Sequence, residues 1–194
     1  MIRAYDFDKT LTYKDTSLLF LFYACNFLKM SAIKKLLIIF YAVCHKFSIL
    51  TNDEFKSLSF LLVFKGKHKL EITKISKKFV KDNPNILNIL GKRVAASLDQ
   101  KQYILTASPE CYVNLYFKTV TVIGTTFSFD LNNMFSGINR NCYGAKKVDA
   151  LQEFGILTVD EFYTDSLSDR PMMEVSKSNF LVKRDQIQKF IIGD

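Results

Sequence analysis

The opening segment, MIRAYDFDKTLT, leads a strand-like run of apolar residues directly into two carboxylates. Asp6 and Asp8 are two residues apart, so if strand geometry continues to the end of the segment, their side chains lie on the same side. Like charges that close repel each other unless a cation or a shared proton relieves them. A solvated turn is the alternative, but turns usually contain Gly, Asn or Pro, and here Lys9 follows. The segment therefore predicts a functional acidic pair at the end of a buried strand.

Predicted strands and helices alternate along the rest of the chain, which indicates an α/β fold with a mostly parallel sheet. Residues 13–93 have a helical pattern, and a β-rich run at 102–107 begins the alternation. A helix is predicted from Pro84 to about Leu98, a hairpin over 127–141, and a final helix over 186–191. In such sheets the ligand crevice lies beyond the carboxyl ends of the strands, so this edge is the expected position of a site.

Polar residues lie at the expected strand ends and at one helix start. Besides Asp6 and Asp8, they are Thr106 in ILTAS, Lys147 in GAKKV, and Asp165 and Asp169 in TDSLSD. Oxygen ligands with retained water suit Mg²⁺, which prefers a few carboxylates together with substrate phosphate. A carboxylate can also attack a phosphoryl group and form an aspartyl-phosphate. The set therefore indicates phosphoryl chemistry.

Length and charge suggest how these parts are organised. A chain of 194 residues can bury one core together with a modest inserted subdomain. Residues 13–93 contain 15 Lys and Arg against 5 Asp and Glu, a balance of +10, whereas the remainder contains 12 against 14, a balance of −2. A positive insert favours anionic partners, although a lysine-rich soluble surface would explain the same pattern.

Cysteine usage and hydropathy bear on location. The four cysteines form no CxxC pair, which argues against zinc and disulfide scaffolds and makes a reduced cytoplasm the expected location. The first residues do not have the pattern of a signal peptide. Residues 16–50 are apolar on nearly all sides, but their uncharged runs are too short to span a bilayer. They are expected to be buried helices or to lie at a membrane interface.

Four segments resemble, in order and spacing, the motifs of the haloacid dehalogenase-like (HAD) hydrolases. DFDKT resembles the family's DxDxT, ILTAS its second-strand Ser/Thr, GAKKV its phosphate-binding Lys, and TDSLSD its GDSxxD acidic motif. The long helical segment after the first motif is similar to subfamily IB, which contains phosphoserine phosphatase. The resemblance implies a Rossmann-like α/β core formed by residues 1–12 and 94–194, with an α-helical cap formed by residues 13–93.

The resemblance also implies a role for each motif residue in a Mg²⁺-dependent phosphatase. Asp6 would be the nucleophile and a metal ligand, and Asp8 would be the general acid and base, with its backbone carbonyl on the metal. Thr106 and Lys147 would hold the phosphoryl group. Asp165 would complete the metal site.

The remaining motif positions allow two assignments or depart from the family pattern. Asp169 would orient Lys147 or ligate the metal through water. The family usually has Gly where this chain has Lys9 and often has Gly where it has Thr164, which changes local backbone freedom but removes no reactive group. Lys146 directly precedes Lys147. Lys147 is preferred as the phosphate-binding lysine because an apolar residue follows it, as in the family pattern.

The substrate is open at this stage between a lipid phosphate and a small phosphorylated metabolite. Phosphoserine phosphatases have a Glu shortly after the first motif that binds the substrate amine, and at the matching distance this chain has Asp15. Its shorter side chain and the basic, apolar cap argue against a small amino-acid phosphate. Apolar caps are found in lipid phosphatases of the family, and such a cap could contact an anionic membrane.

Two other functional classes stay open. A phosphotransferase would pass the aspartyl-phosphate to an alcohol with the same residues. A non-catalytic, basic protein that binds membrane surfaces would not need the acidic motifs, which are intact here. Nucleic acid is not an expected partner.

Overall fold

The computed structural model describes residues 1–192, so the last two residues of the predicted core range lie outside the described part. One seven-stranded sheet has the order β4-β3-β2-β1-β5-β6-β7. Its strands are β1 (Arg3–Tyr5), β2 (Gln102–Pro109), β3 (Thr121–Phe129), β4 (Phe135–Arg140), β5 (Val159–Thr164), β6 (Ser176–Lys183) and β7 (Gln186–Phe190). The five central strands are parallel, and an antiparallel strand flanks them at each edge. The predicted α/β fold is confirmed.

Five helices lie between β1 and β2: α1 (Thr16–Phe27), α2 (Ala32–Lys46), α3 (Asn52–Phe64), α4 (Lys69–Asp82) and α5 (Ile89–Ala96). Shorter helices follow later strands: α6 (Glu110–Val113), α7 (Lys146–Glu153) and α8 (Arg170–Glu174), the last preceded by a 3₁₀ turn at Leu167–Asp169. Among the described residues no helix is long and apolar enough to cross a bilayer. We refer to α1–α5 as the helical insert.

Hydrophobic cores lie on the two faces of the sheet because neighbouring strand residues point in opposite directions. On β2, Ile104 belongs to one core and Leu105 to the other, and both are fully buried. The first core continues into the helical insert through aromatic rings. Phe20 of α1 lies 4.6 Å from Tyr112 of α6 between ring centroids, and Phe79 of α4 lies 5.1 Å from the same ring. The insert therefore packs directly onto the α/β core.

Two predicted elements differ from the structure. The prediction of a final helix at 186–191 is wrong, because QIQKF forms strand β7 and pairs antiparallel with β6. An edge strand with one face on the solvent can carry this many polar residues, so its composition did not exclude a helix. The helix predicted from Pro84 to about Leu98 begins only at Ile89, where Asn88 accepts the Gly91 N–H as a cap.

Candidate active site

A pocket of about 320 Å³ opens between the helical insert and the carboxyl ends of β1, β2 and β5. On the α/β side it is lined by Asp6, Asp8, Lys9, Ala107, Tyr143, Lys147, Asp165, Ser166, Ser168 and Asp169. The insert contributes Asp15, Ser17, Leu18, Ala42, His45, Asn52, Phe55 and Lys56. Most of the residues selected from the sequence therefore meet in one pocket, at the sheet edge where they were expected.

Asp6 is held at the bottom of this pocket. Its backbone N–H donates to the carbonyl of Tyr163 on β5 at 2.8 Å, which fixes the chain where β1 ends. Its buried carboxylate accepts from Lys147 Nζ at 2.6 Å and from the Thr10 hydroxyl at 3.1 Å. Burial raises the pKa of Asp6 to about 6, against the attraction of Lys147. The carboxylate is therefore mostly ionised at neutral pH.

Lys147 lies at the start of α7 and is itself buried. Its Nζ also lies 2.8 Å from Asp169, which accepts a second hydrogen bond from the Thr164 hydroxyl at 2.8 Å. Burial alone would lower the pKa of Lys147, but the charges of Asp6 and Asp169 raise it above the ordinary value. Lys147 is therefore a fixed positive charge, and Thr164, at the position where the family often has Gly, supports its second carboxylate.

Asp8 faces a different set of groups. Its Oδ1 accepts from the backbone N–H and the hydroxyl of Thr16, both at 2.6 Å, and its Oδ2 accepts from the Ser108 hydroxyl. Burial, followed by the charge of Asp15, raises the pKa of Asp8 above its ordinary value. Because β1 ends before Asp6, strand alternation does not extend to Asp8. The two carboxylates share the pocket but not their hydrogen-bond partners.

Thr106 lies at the carboxyl end of β2 and is fully buried. Its hydroxyl oxygen accepts from the Ser108 N–H at 2.9 Å, and on this strand Ala107 is the residue that lines the pocket. Ser108, two residues further along the strand, donates its hydroxyl proton to Asp8. The structure therefore places Thr106 beneath the pocket surface.

Asp165 and Lys9 lie at the rim of the pocket. Partial burial and then the charge of Asp6 raise the pKa of Asp165 to about 6, while the nearby charge of Lys9 opposes the shift. Lys9 has a φ of 60°, in the left-handed region that favours glycine, and its N–H donates to the Thr12 hydroxyl at 3.0 Å. The loop therefore requires the conformation that the family's usual glycine adopts most easily.

The donors of this pocket fit a hard cation such as Mg²⁺. Besides burial, the charge of Asp6 raises the pKa of Asp165, and the charges of Asp169 and Asp8 raise the pKa of Asp6. A bound cation would relieve this repulsion. Within residues 1–192 no three Asp, Glu, His or Cys side chains form a metal-binding cluster by themselves. Mg²⁺ commonly binds through one or two carboxylates and takes its remaining ligands from water and substrate phosphate. Two carboxylates and a backbone carbonyl are consistent with that pattern.

Lys56 of α3 is a pocket residue that the sequence analysis missed. It is only 4% exposed, and its Nζ donates to the carbonyl of Ala107. Burial lowers the pKa of Lys56 to about 8, partly offset by the charges of Asp8 and Asp15. The only available signal was its position on the buried face of a predicted helix, which does not mark it among the 15 basic residues of the region 13–93.

Asp15 and Lys146 lie around the pocket entrance. Asp15 caps α1 by accepting the Leu18 N–H at 3.2 Å, and it lines the pocket. Lys146 points away from Asp6 and forms an exposed ion pair with Asp53 of α3. The structure therefore places Lys147, and not Lys146, against Asp6 and Asp169, while Lys146 connects the helical insert to the core.

Comparison with known proteins defines the class. The family model for haloacid dehalogenase-like hydrolases matches residues 4–174. The chain therefore belongs to this family, and the predicted family is confirmed. A search of curated protein sequences finds no significant match.

Solved structures share the fold at low sequence identity. A protein of unknown function from Bordetella pertussis Tohama I has a TM-score of 0.69 and 16% identity, covering 89% of this chain and 85% of that chain. A phosphoserine phosphohydrolase-like protein from Francisella tularensis has a TM-score of 0.59 and 17% identity, covering 92% and 85%. A substrate-bound phosphoserine phosphatase has a TM-score of 0.57 and 12% identity, covering 92% and 83%. The family match makes the chain a haloacid dehalogenase-like hydrolase, and these neighbours share its fold.

Proposed function

We propose that this chain is a Mg²⁺-dependent phosphomonoester hydrolase in which Asp6 carries the phosphoryl group from substrate to water. The observation that carries the proposal is the pairing of the buried Asp6 carboxylate with Lys147, a fixed cation that Asp169 holds from the other side. A second carboxylate, Asp8, lines the same pocket. A nucleophile, a cation for phosphoryl oxygens and a separate proton carrier are the parts that this reaction needs.

The two half-reactions use the two carboxylates in turn. A carboxylate oxygen of Asp6 attacks phosphorus, the bond from phosphorus to the leaving oxygen breaks, and protonated Asp8 gives that oxygen its proton. Ionised Asp8 then takes a proton from water, whose oxygen attacks phosphorus and releases inorganic phosphate and free Asp6. The raised pKa of Asp8 favours this exchange of protons.

The phosphoryl oxygens need donors and a counter-charge. We assign Lys147 to the phosphoryl group, as the family motif implies. Thr106 lies beneath the pocket surface, where its hydroxyl oxygen accepts from the Ser108 N–H, so we assign it the support of this wall of the pocket. Mg²⁺ would be held by the carboxylates of Asp6 and Asp165 and by the backbone carbonyl of Asp8. When bound, it would neutralise negative charge on the phosphoryl group.

We further propose that the helical insert is a cap domain that selects the substrate. Lys56 brings a buried positive charge to the pocket, and Asp15 brings a negative charge at its entrance. A phosphomonoester with an additional anionic or hydrogen-bond-accepting group would satisfy Lys56, whose one hydrogen-bond partner within residues 1–192 is a carbonyl. Asp15→Ala should then change the ranking of substrates more than it changes turnover of an aryl phosphate.

The direct test is hydrolysis of p-nitrophenyl phosphate by wild type and Asp6→Asn, each with Mg²⁺ and with a chelator. We expect Asp6→Asn to lose at least about a thousandfold of the turnover, because an amide cannot form the acyl phosphate. Asp53→Asn is the matched control, since that carboxylate lies outside the catalytic set. Turnover by Asp6→Asn within about tenfold of wild type would overturn the nucleophile assignment.

Product analysis separates the other functional classes. Phosphate transfer to an added alcohol in preference to water would make the enzyme a phosphotransferase. Absence of turnover by the wild type over a panel of soluble and lipid phosphomonoesters would favour a non-catalytic role.

A further inference from the structure

Helix α2 presents an unusual surface to solvent. On one side it packs against the neighbouring insert helices and buries Ile38 and Cys44. On the other side large apolar side chains recur at helical spacing: Ile33, Leu36, Ile39, Phe40, Val43 and Phe47. Phe40 is 60% exposed and Phe47 is 70% exposed. We call these six residues the α2 apolar face, and a contiguous exposed face of this kind indicates an interaction surface.

The charged residues of the segment that carries this face have one sign. Residues 16–52 contain no Asp or Glu. Lys29, Lys34 and Lys46 are exposed near the two ends of α2. Lys46 also lies along one border of the apolar face, because it is three residues after Val43 and seven after Ile39. An apolar stripe bordered by lysines, without acidic residues, is the pattern of a helix that lies in the interface of an anionic bilayer.

We propose that the α2 apolar face docks on an anionic lipid bilayer, with α2 parallel to the membrane plane. A second copy of this chain fits the face less well, because a symmetric contact would bring the lysines of both copies together without acidic partners. A bilayer with anionic headgroups supplies apolar depth for the phenylalanines and counter-charge for the lysines at once.

The α2 apolar face lies on the same helix as two residues of the candidate active-site pocket. Ala42 and His45, on another side of α2, line the candidate active-site pocket. A bilayer against the apolar face would therefore hold the pocket close to the lipid headgroups. Binding itself does not depend on the proposed phosphatase chemistry, so the two proposals can fail separately.

The experiment is flotation with vesicles of phosphatidylcholine alone and of phosphatidylcholine mixed with phosphatidylglycerol, at low and high salt. The inactive Asp6→Asn chain is used in parallel, so that binding is measured without turnover. We expect binding only to the anionic vesicles and loss of binding at high salt. Each charge near the surface should contribute about fivefold in affinity, so Lys46→Glu, which replaces a positive by a negative charge at the border of the face, should weaken binding by well over tenfold.

Matched variants distinguish binding through the α2 apolar face from nonspecific binding to vesicles. Phe40→Ser/Phe47→Ser should reduce vesicle binding by at least about tenfold, whereas Leu157→Ser, which changes an exposed leucine elsewhere, should leave it unchanged. Lys118→Glu is the corresponding charge control, since it changes an exposed lysine of the core. Circular dichroism and aryl phosphate turnover should be unchanged in both phenylalanine substitutions, because these side chains are exposed and do not line the pocket.

Several outcomes would overturn the proposal. Absence of binding to anionic vesicles would reject it, as would equal binding by Phe40→Ser/Phe47→Ser and wild type. Sedimentation analysis without lipid supplies another: a dimer that Phe40→Ser/Phe47→Ser dissociates would assign the face to self-association.

Discussion

Two buried lysines approach the same pocket from opposite sides, and their environments differ. Lys147, from the α/β core, touches two carboxylates at 2.6 and 2.8 Å, and its pKa is raised. Lys56, from the helical insert, donates to a backbone carbonyl and forms no ion pair with another described residue, and burial lowers its pKa to about 8. The core therefore neutralises its buried lysine with its own carboxylates. The insert presents a buried lysine that no carboxylate of the described residues pairs with.

This contrast separates catalysis from selection. A lysine that is fully paired by its own protein keeps its charge and its position whatever the substrate. A lysine buried without a counter-ion is costly, and an anionic ligand would recover part of that cost. The core side of the pocket therefore suits a reaction common to many phosphomonoesters, and the insert side suits recognition of one of them.

The largest expected effect comes from breaking the paired lysine. Lys147→Met should lower the free energy of unfolding by about 3–5 kcal/mol, because Asp6 and Asp169 would stay buried without their cation. It should also remove turnover. Denaturant unfolding and p-nitrophenyl phosphate hydrolysis measure the two effects. A loss of less than about 1 kcal/mol would mean that the carboxylates do not depend on Lys147 for compensation.

Lys56→Met should instead raise the free energy of unfolding. At pH 7 this substitution removes a buried charge, and at about 1.4 kcal/mol for each pKa unit the stability gain should be about 3 kcal/mol. The Ala107 carbonyl remains satisfied, because the Thr125 hydroxyl also donates to it at 2.7 Å. Use of substrates that carry a second anionic group should fall, while aryl phosphate turnover should change little.

The pH dependence of this gain in stability follows from the lowered pKa of Lys56. Because the folded pKa of Lys56, about 8, lies below the ordinary 10.5, the unfolded state binds more protons between these values. The stability of wild type relative to Lys56→Met should therefore rise with pH through this window. The difference between the two proteins should be largest below pH 8 and should vanish above about pH 10.5. A constant difference across the window would show that Lys56 is not buried as a charge.

Asp165→Asn tests whether the core also depends on a metal. Loss of one charged oxygen ligand should raise the Mg²⁺ concentration for half-maximal activity by at least about tenfold, since even outer-shell changes cost that much. Titration of activity with Mg²⁺ is the measurement, and Ser168→Ala is a control at the same rim. An unchanged midpoint would remove Asp165 from the metal site.

The sequence predicted the core side of this contrast better than the insert side. The carboxyl ends of parallel strands share one edge, so the order of strands and acidic residues along the chain was enough to predict that Asp6 and Asp165 meet. Lys56 could not be selected, because nothing local distinguishes a lysine that points into a pocket from one in solvent. Strand β7 was missed for a related reason: its pairing with β6 is a tertiary contact that QIQKF alone does not show.

The smallest effect concerns Lys146, the neighbour of the paired lysine. Its ion pair with Asp53 is exposed on both sides, so Lys146→Met should change the free energy of unfolding by no more than about 1 kcal/mol. The pair nevertheless joins the helical insert to the core beside the pocket, and Asn141 donates to Asp53 in the same place. Lys146→Met and Asp53→Asn should therefore raise KM for the preferred substrate a few-fold at low salt, with kcat little changed. High salt should remove the difference from wild type, because it screens the exposed pair. A large loss of kcat in Lys146→Met would blur the contrast between neighbouring lysines, since it would place Lys146 in the catalytic set beside Lys147.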